Sequence, residues 1–159
     1  MTSGDGDRSE LSKTISALET WARNTSDVAR IETETASAYW KMTVAPNTVG
    51  ACPFELILRA DRRFDLGIGG EVYEDKPIDG LDFFVMLARA IAAGRVERID
   101  VISALTGSVD AIETRVTLED GWAWIGERRT GLRGTRRTDT AQQLRTHRFL
   151  AYRRLSTDG

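Results

Sequence analysis

The stretch VERIDVISALTGSVDAIETRVTLEDGWAWI, residues 96 to 125, decides the fold class. Residues 96 to 105 and 109 to 118 are rich in Val and Ile and are parted by Thr106-Gly107-Ser108; Glu119-Asp120-Gly121 then leads into Trp122-Ala123-Trp124-Ile125. Short runs of this kind joined by Gly-bearing turns predict three antiparallel strands in hairpins. The second hairpin has two possible registers. If Asp120-Gly121 form a two-residue turn, Glu119 faces Trp122 and both Trp rings share a face with Arg115 and Glu113. If Glu119-Asp120-Gly121 form a three-residue loop with Gly121 in a G1 bulge, Leu118 faces Trp122 and the rings turn to the core. Composition does not choose between them.

Upstream, LDFFVMLARAIAA (81 to 93) is the strongest helix signal, led in by Pro77-Ile78-Asp79-Gly80 and closed by Gly94. Asp79 is the expected N-cap, and Asp82 sits where a capping-box acid would. Only Asp82 and Arg89 are charged between Leu81 and Ala93. A helix apolar nearly all round has to be covered on more than one side; the sheet should take one side, and the first helix, the C-terminal segment or a second subunit the other. FELILRA (54 to 60) and RFDLGIGG (63 to 70) alternate Phe54, Leu56, Leu58 and Phe64, Leu66, Ile68, which predicts a hairpin with one buried face. Residues 29 to 45 lack Gly and Pro and favour one long strand, with or without a bulge.

At the N-terminus, residues 1 to 8 are expected to be a disordered tail. A short amphipathic helix follows from Ser9, carrying Leu11, Ile15, Leu18 and Ala22 on one stripe with Trp21 beside it, and Asn24 suits its left-handed end. At the C-terminus, Leu144, His147, Arg148, Ala151, Tyr152 and Leu155 form a helical stripe, and Thr140 with Gln143 matches a capping box. The FLAY centre is strand-like, but helix is the preferred reading. The expected order is α-βββ-α-βββ-α: an α+β domain in which an antiparallel sheet of about six strands packs with two or three helices. Residues 9 to 127 form its core, and 128 to 159 an Arg-rich loop and C-terminal helix packed on it.

Composition fits one soluble globular unit: 159 residues, 41% apolar and 29% charged. The absence of a long apolar run, a signal-like start or any cysteine beyond Cys52 leads to the expectation of a cytoplasmic protein with no membrane span, disulfide or zinc site. Net charge is segregated. Residues 1 to 126 carry 13 Lys+Arg against 21 Asp+Glu, net -8, whereas 127 to 159 carry 9 Arg against 3 acids, net +6. Since 19 of the 22 basic residues in the whole chain are Arg, the choice of Arg in the tail is not diagnostic of phosphate.

No catalytic set stands out. The cluster Gly67-Ile68-Gly69-Gly70 is not followed by a helix start, as a phosphate loop requires, and reads as a bulge or strand end crossed by a bulky neighbour. Cys52 lacks an adjacent base and reads as a half-buried structural thiol. The lone His147 has no visible partner. Glu71, Glu74 and Asp75 around Tyr73, followed by Asp79 and Asp82, read as a solvated acidic loop and a capped helix rather than an acid–base pair. No catalytic, cofactor or metal residues are assigned. The leading expectation is a non-enzymatic domain that binds a protein partner or forms a homodimer, using Phe83, Leu87, Ile91, Trp122 and Trp124. The first alternative is nucleic-acid binding through Arg128, Arg129, Arg133, Arg136 and Arg137. The second is a small-ligand or enzymatic cavity between sheet and helix, lined by Tyr39, Trp40 and Tyr73. Against the nucleic-acid reading stands pairing of the arginines with the protein's own acidic body.

Overall fold

Two antiparallel sheets, rather than one, carry the strands. The computed structural model describes residues 3 to 129 and 142 to 153, with 3 to 8 as backbone. Helix α1 (Ser3–Thr25) leads into β1 (Ala29–Thr35), β2 (Tyr39–Pro46), β3 (Phe54–Arg59), β4 (Arg63–Ile68) and β5 (Glu71–Pro77), which pair in sequence order as a meander. Helix α2 (Phe83–Ala92) follows, then β6 (Val96–Ser103), β7 (Val109–Thr117), β8 (Ala123–Arg129) and β9 (Gln142–Arg148). The second sheet runs β8-β7-β6-β9. The fold is therefore α+β, but the described residues hold nine strands in two sheets and two helices, where about six strands in one sheet and the order α-βββ-α-βββ-α were expected.

Each departure has a physical cause. Residues 29 to 45 make a hairpin, because Ala36-Ser37-Ala38 are small enough to reverse the chain without Gly or Pro, with Ala36 N–H bonded to Tyr39 O at 2.9 Å. Residues 71 to 77 are a strand whose acidic composition masks a period of two: Glu71 and Tyr73 point inward, Val72 and Glu74 outward. The expected C-terminal helix is the strand β9. Extended, it supplies hydrogen bonds to the open edge of β6 and feeds Phe149 and Tyr152 into the core, which outweighs a propensity-level preference. Phe149 N–H bonds Val96 O at 3.1 Å, Leu150 N–H bonds Gly50 O at 2.9 Å and Tyr152 N–H bonds Ala92 O at 2.8 Å. Asp79 is not the N-cap of α2. Asp82 holds that position, in helical geometry and without a side-chain capping bond. α1 starts at Ser3 instead of Ser9, and it ends on Thr25, whose hydroxyl donates to Trp21 O at 2.7 Å.

The core lies where both sheets meet α2. Trp40, Met42, Val44, Phe54, Leu56, Leu58, Phe64, Leu66 and Ile68 form the inner face of the first sheet, as the alternation predicts. Leu18 of α1 and Phe84, Leu87 and Ile91 of α2 close on it, and Val96, Val116 and Leu118 of the second sheet complete the same cluster. Thus α2 is covered by α1 and by both sheets within one chain. The helix ends in a Schellman arrangement: Gly94 N–H bonds Ile91 O at 3.1 Å and Arg95 N–H bonds Ala90 O at 3.0 Å, with Gly94 at φ +79°.

A polar seam joins β5 to the second sheet beside this core. Tyr73 Oη lies 2.8 Å from Thr114 Oγ1 and donates to Gly126 O at 3.3 Å. Burial raises the Tyr73 phenol above its ordinary pKa, so it stays a protonated donor. Next to it, Glu71 is only 5% exposed, yet its carboxylate is gripped by Arg128, Nε at 2.6 Å and Nη2 at 3.3 Å. Arg98 reaches the same carboxylate at 3.9 Å and is itself held by Asp100 at 3.0 Å. A buried carboxylate is tolerated when bidentate charge-assisted bonds satisfy it, as here.

Candidate protein-binding groove

The β7–β8 hairpin resolves the register. Leu118 N–H bonds Trp122 O at 2.7 Å, Gly121 N–H bonds Leu118 O at 3.0 Å, and Gly121 sits at φ +89°. This is the three-residue loop, with Val116 opposite Trp124 and Thr117 opposite Ala123. Asp120 Oδ1 accepts from Trp122 N–H at 3.0 Å and fixes the loop. The consequence for the two rings differs. Trp124 turns inward, half-buried, and packs edge-on against Tyr73 at 5.4 Å between centroids, while Trp122 stays 75% exposed.

Across from the hairpin, the first turn of α2 presents Phe83 and Met86, three residues apart and therefore on one face. Together with Leu118, Trp122, Ala123 and Trp124 they line an open groove of about 390 Å³, with Asp120 at its rim. Of the five residues assigned to protein contact from sequence, three meet here: Phe83, Trp122 and Trp124. Leu87 and Ile91 are 1% and 0% exposed within the single chain and belong to the core. Sequence reasoning missed Met86, Leu118 and Ala123; the i, i+3 pairing of Phe83 with Met86 was the available signal.

A larger depression, about 450 Å³, lies on the outer face of the first sheet, lined by Tyr39, Lys41, Ile57, Arg59, Asp61 and Asp65 among others. Its charges are already satisfied by one another. Arg59 contacts Asp61 at 2.7 Å, Asp75 at 3.2 Å and Asp65 at 3.6 Å, and it holds the Asp61 carboxyl below its usual range. That pattern is the solvated side of a half-buried sheet. Tyr39 lies on this outer face, whereas Trp40 and Tyr73 are buried on inner faces, so these three do not converge on one cavity.

Three of the described C-terminal arginines are paired with the protein's own acids. Arg128 is bound to Glu71, Arg129 to Glu127 at 3.3 Å, and Arg148 to Glu97 at 3.1 Å. Arg133, Arg136 and Arg137 lie outside the described residues. Cys52 is fully enclosed and desolvation pushes its thiol up to about 12, so it is not a nucleophile at neutral pH. His147 is exposed on β9 and packs edge-on against Phe149 at 4.8 Å. Phe149 is also the bulky neighbour that crosses Gly69, where a Cβ would lie 2.9 Å from its ring. Among the described residues, no three His, Cys, Asp or Glu side chains gather to hold a metal ion, and no helix is long and apolar enough to cross a membrane. No family model, curated protein or solved structure matches the chain.

Proposed function

We propose that this chain is a non-catalytic protein-binding domain whose contact surface is the groove between the start of α2 and the tryptophan hairpin. One observation carries the reading: Trp122 is held 75% exposed by a tightly bonded loop, beside an apolar groove that its own chain leaves open. Exposed aromatics next to a partly dry pocket are the usual anchors of protein contacts. The volume suits one or two apolar side chains of a partner, and Asp120 at the rim favours a cation beside them. The nucleic-acid alternative has less support, because Arg128 and Arg129 are tied to Glu71 and Glu127.

Affinity capture on the immobilised chain tests the proposal, comparing wild type with Trp122→Ser, Phe83→Ser and the remote surface variant Val49→Ser. Retained proteins, a second copy of the chain included, should be lost with the first two variants and kept with the third. Equal retention by all four chains would remove the groove from the function.

A further inference from the structure

Three aromatic rings and one acid share the groove. Trp122 and Trp124, two residues apart and opposite Leu118 and Val116, fall on one side of the hairpin, and Phe83 lines the groove with them. These walls are held in place before any ligand arrives. Phe83 packs on Phe64 and Phe84 with centroids 6.3 and 5.3 Å apart, Trp124 packs on Tyr73, and the Trp122 N–H is bonded to Asp120. Met86 adds a polarisable thioether.

The charge around the groove is one-sided. Asp120 is the only charged side chain among the described residues that line it, and the charged residues next to lining residues in the chain, Asp82 and Glu119, are exposed acids. Asp82, at the N-cap, also offsets the positive end of the α2 dipole beside Phe83. Ring faces of negative quadrupole, a carboxylate and no competing base select a cation. The kind of cation follows from the shortage of acceptors. A lysine ammonium is strongly hydrated and brings three donors, and a guanidinium brings five; Asp120, which already accepts from Trp122 N–H, is the one charged acceptor they would find. A trimethylammonium keeps the charge, has no donors to satisfy and presents methyl groups to the rings.

We infer that the groove is an aromatic cage for a trimethylated lysine side chain carried by a protein partner. The inference rests on the protein-binding reading and names the side chain that the groove takes. A phosphocholine headgroup shares the trimethylammonium, but its phosphate would meet Asp82, Glu119 and Asp120 with no lining base to balance it. Free choline would leave much of the groove, about 390 Å³, unfilled. A peptide brings flanking residues that can cover Leu118 and Ala123 while the modified side chain enters between the rings.

The test is a titration of the full chain, labelled with nitrogen-15, by an acetylated glycine–trimethyllysine–glycine amide. The Trp122 and Trp124 indole N–H resonances should shift and the N-methyl proton signal should move upfield, with a Kd of roughly 0.1–1 mM for a cation over several partly desolvated rings. The unmethylated lysine peptide, the arginine peptide and the uncharged isostere, with tert-butyl in place of trimethylammonium, should each bind about tenfold more weakly or worse. Trp122→Leu keeps an apolar side chain and removes a ring, and should lose about tenfold. Asp120→Asn keeps an acceptor for Trp122 N–H and removes the charge, and should lose about threefold. Both sites are exposed, so circular dichroism should be unchanged, and Val49→Ser should bind as wild type does. Absent binding of the methylated peptide, equal binding of the isostere or the arginine peptide, or indifference to Trp122→Leu overturns the inference. Choline or phosphatidylcholine vesicles binding as tightly as the peptide overturn it too, by giving the trimethylammonium another source. If the methylated peptide does not bind while Trp122-dependent capture persists, this inference fails and the groove proposal stands.

Discussion

Substituting Gly94 by Ala tests the closure of the fold at one point. Gly94 has φ +79°, and a Cβ placed there would lie 2.7 Å from Ala151 N and 3.0 Å from both Ala151 Cα and Leu150 C. All three are backbone atoms, pinned on either side by the bonds from Phe149 N–H to Val96 O and from Tyr152 N–H to Ala92 O. The left-handed conformation costs Ala about 1–2 kcal/mol, and forcing a methyl into a packed contact costs about 1–3 kcal/mol more. Gly94→Ala should therefore lose about 2–5 kcal/mol, a large part of the ~5–15 kcal/mol that a domain commands. Gly121 is the internal control: its φ is +89° but nothing lies within 4 Å of an added Cβ, so Gly121→Ala should lose only the conformational ~1–2 kcal/mol. Urea unfolding of both variants gives the difference, and hydrogen exchange should show the Tyr152 amide losing protection in Gly94→Ala alone. Equal losses in the two variants would mean that residues 150 and 151 do not lie across the end of α2.

Other outcomes follow from the same packing. Leu87→Ala should cost ~2–5 kcal/mol with no change in oligomer mass, because Leu87 is enclosed within its own chain; a mass shift at unchanged stability would contradict that burial. Tyr73→Phe should cost ~1–3 kcal/mol by stranding the Thr114 hydroxyl, and a double-mutant cycle with Thr114→Val should recover part of it; additive losses would deny the contact. The buried Cys52 thiol holds its proton up to about 12, whereas the unfolded chain releases it near the ordinary value of 9.0. Its contribution is complete below pH 9 and is lost as pH rises toward 12, at up to ~1.4 kcal/mol per pH unit. Cys52→Ala should flatten that part of the alkaline stability curve, and an unchanged slope would count against the burial. Burial raises the Tyr152 phenol as well, so some decline above pH 10 remains in the variant.

Legibility in the sequence followed the strength of local signals. Strands β3 and β4 were readable because Phe54, Leu56, Leu58 and Phe64, Leu66, Ile68 alternate cleanly, and α2 because its apolar run ends at a left-handed glycine. The β1–β2 turn was not, since Ala36-Ser37-Ala38 uses none of the residues that usually mark reversals. β9 was misread as helix because its stability comes from the β6 edge and the core seats of Phe149 and Tyr152, interactions that no local window contains. The groove was half legible. Phe83 and the two tryptophans stood out as aromatics, but which ring would remain outside depended on a single-residue choice of hairpin register.

The stitch between Gly50 and Leu150 bears on how the chain is made as well as on how it stands. During synthesis the N-terminal meander can form early from neighbouring hairpins, yet the edge of β6 and the end of α2 stay bare until residues 142 to 152 emerge. Contacts spanning about a hundred residues, such as Leu150 N–H to Gly50 O, are the slow ones to form, so the seating of residues 150 to 153 beside Gly50 should be a late event in folding. A nascent chain halted before residue 142 would expose the seats of Phe149 and Tyr152 to whatever chaperone or protease is near.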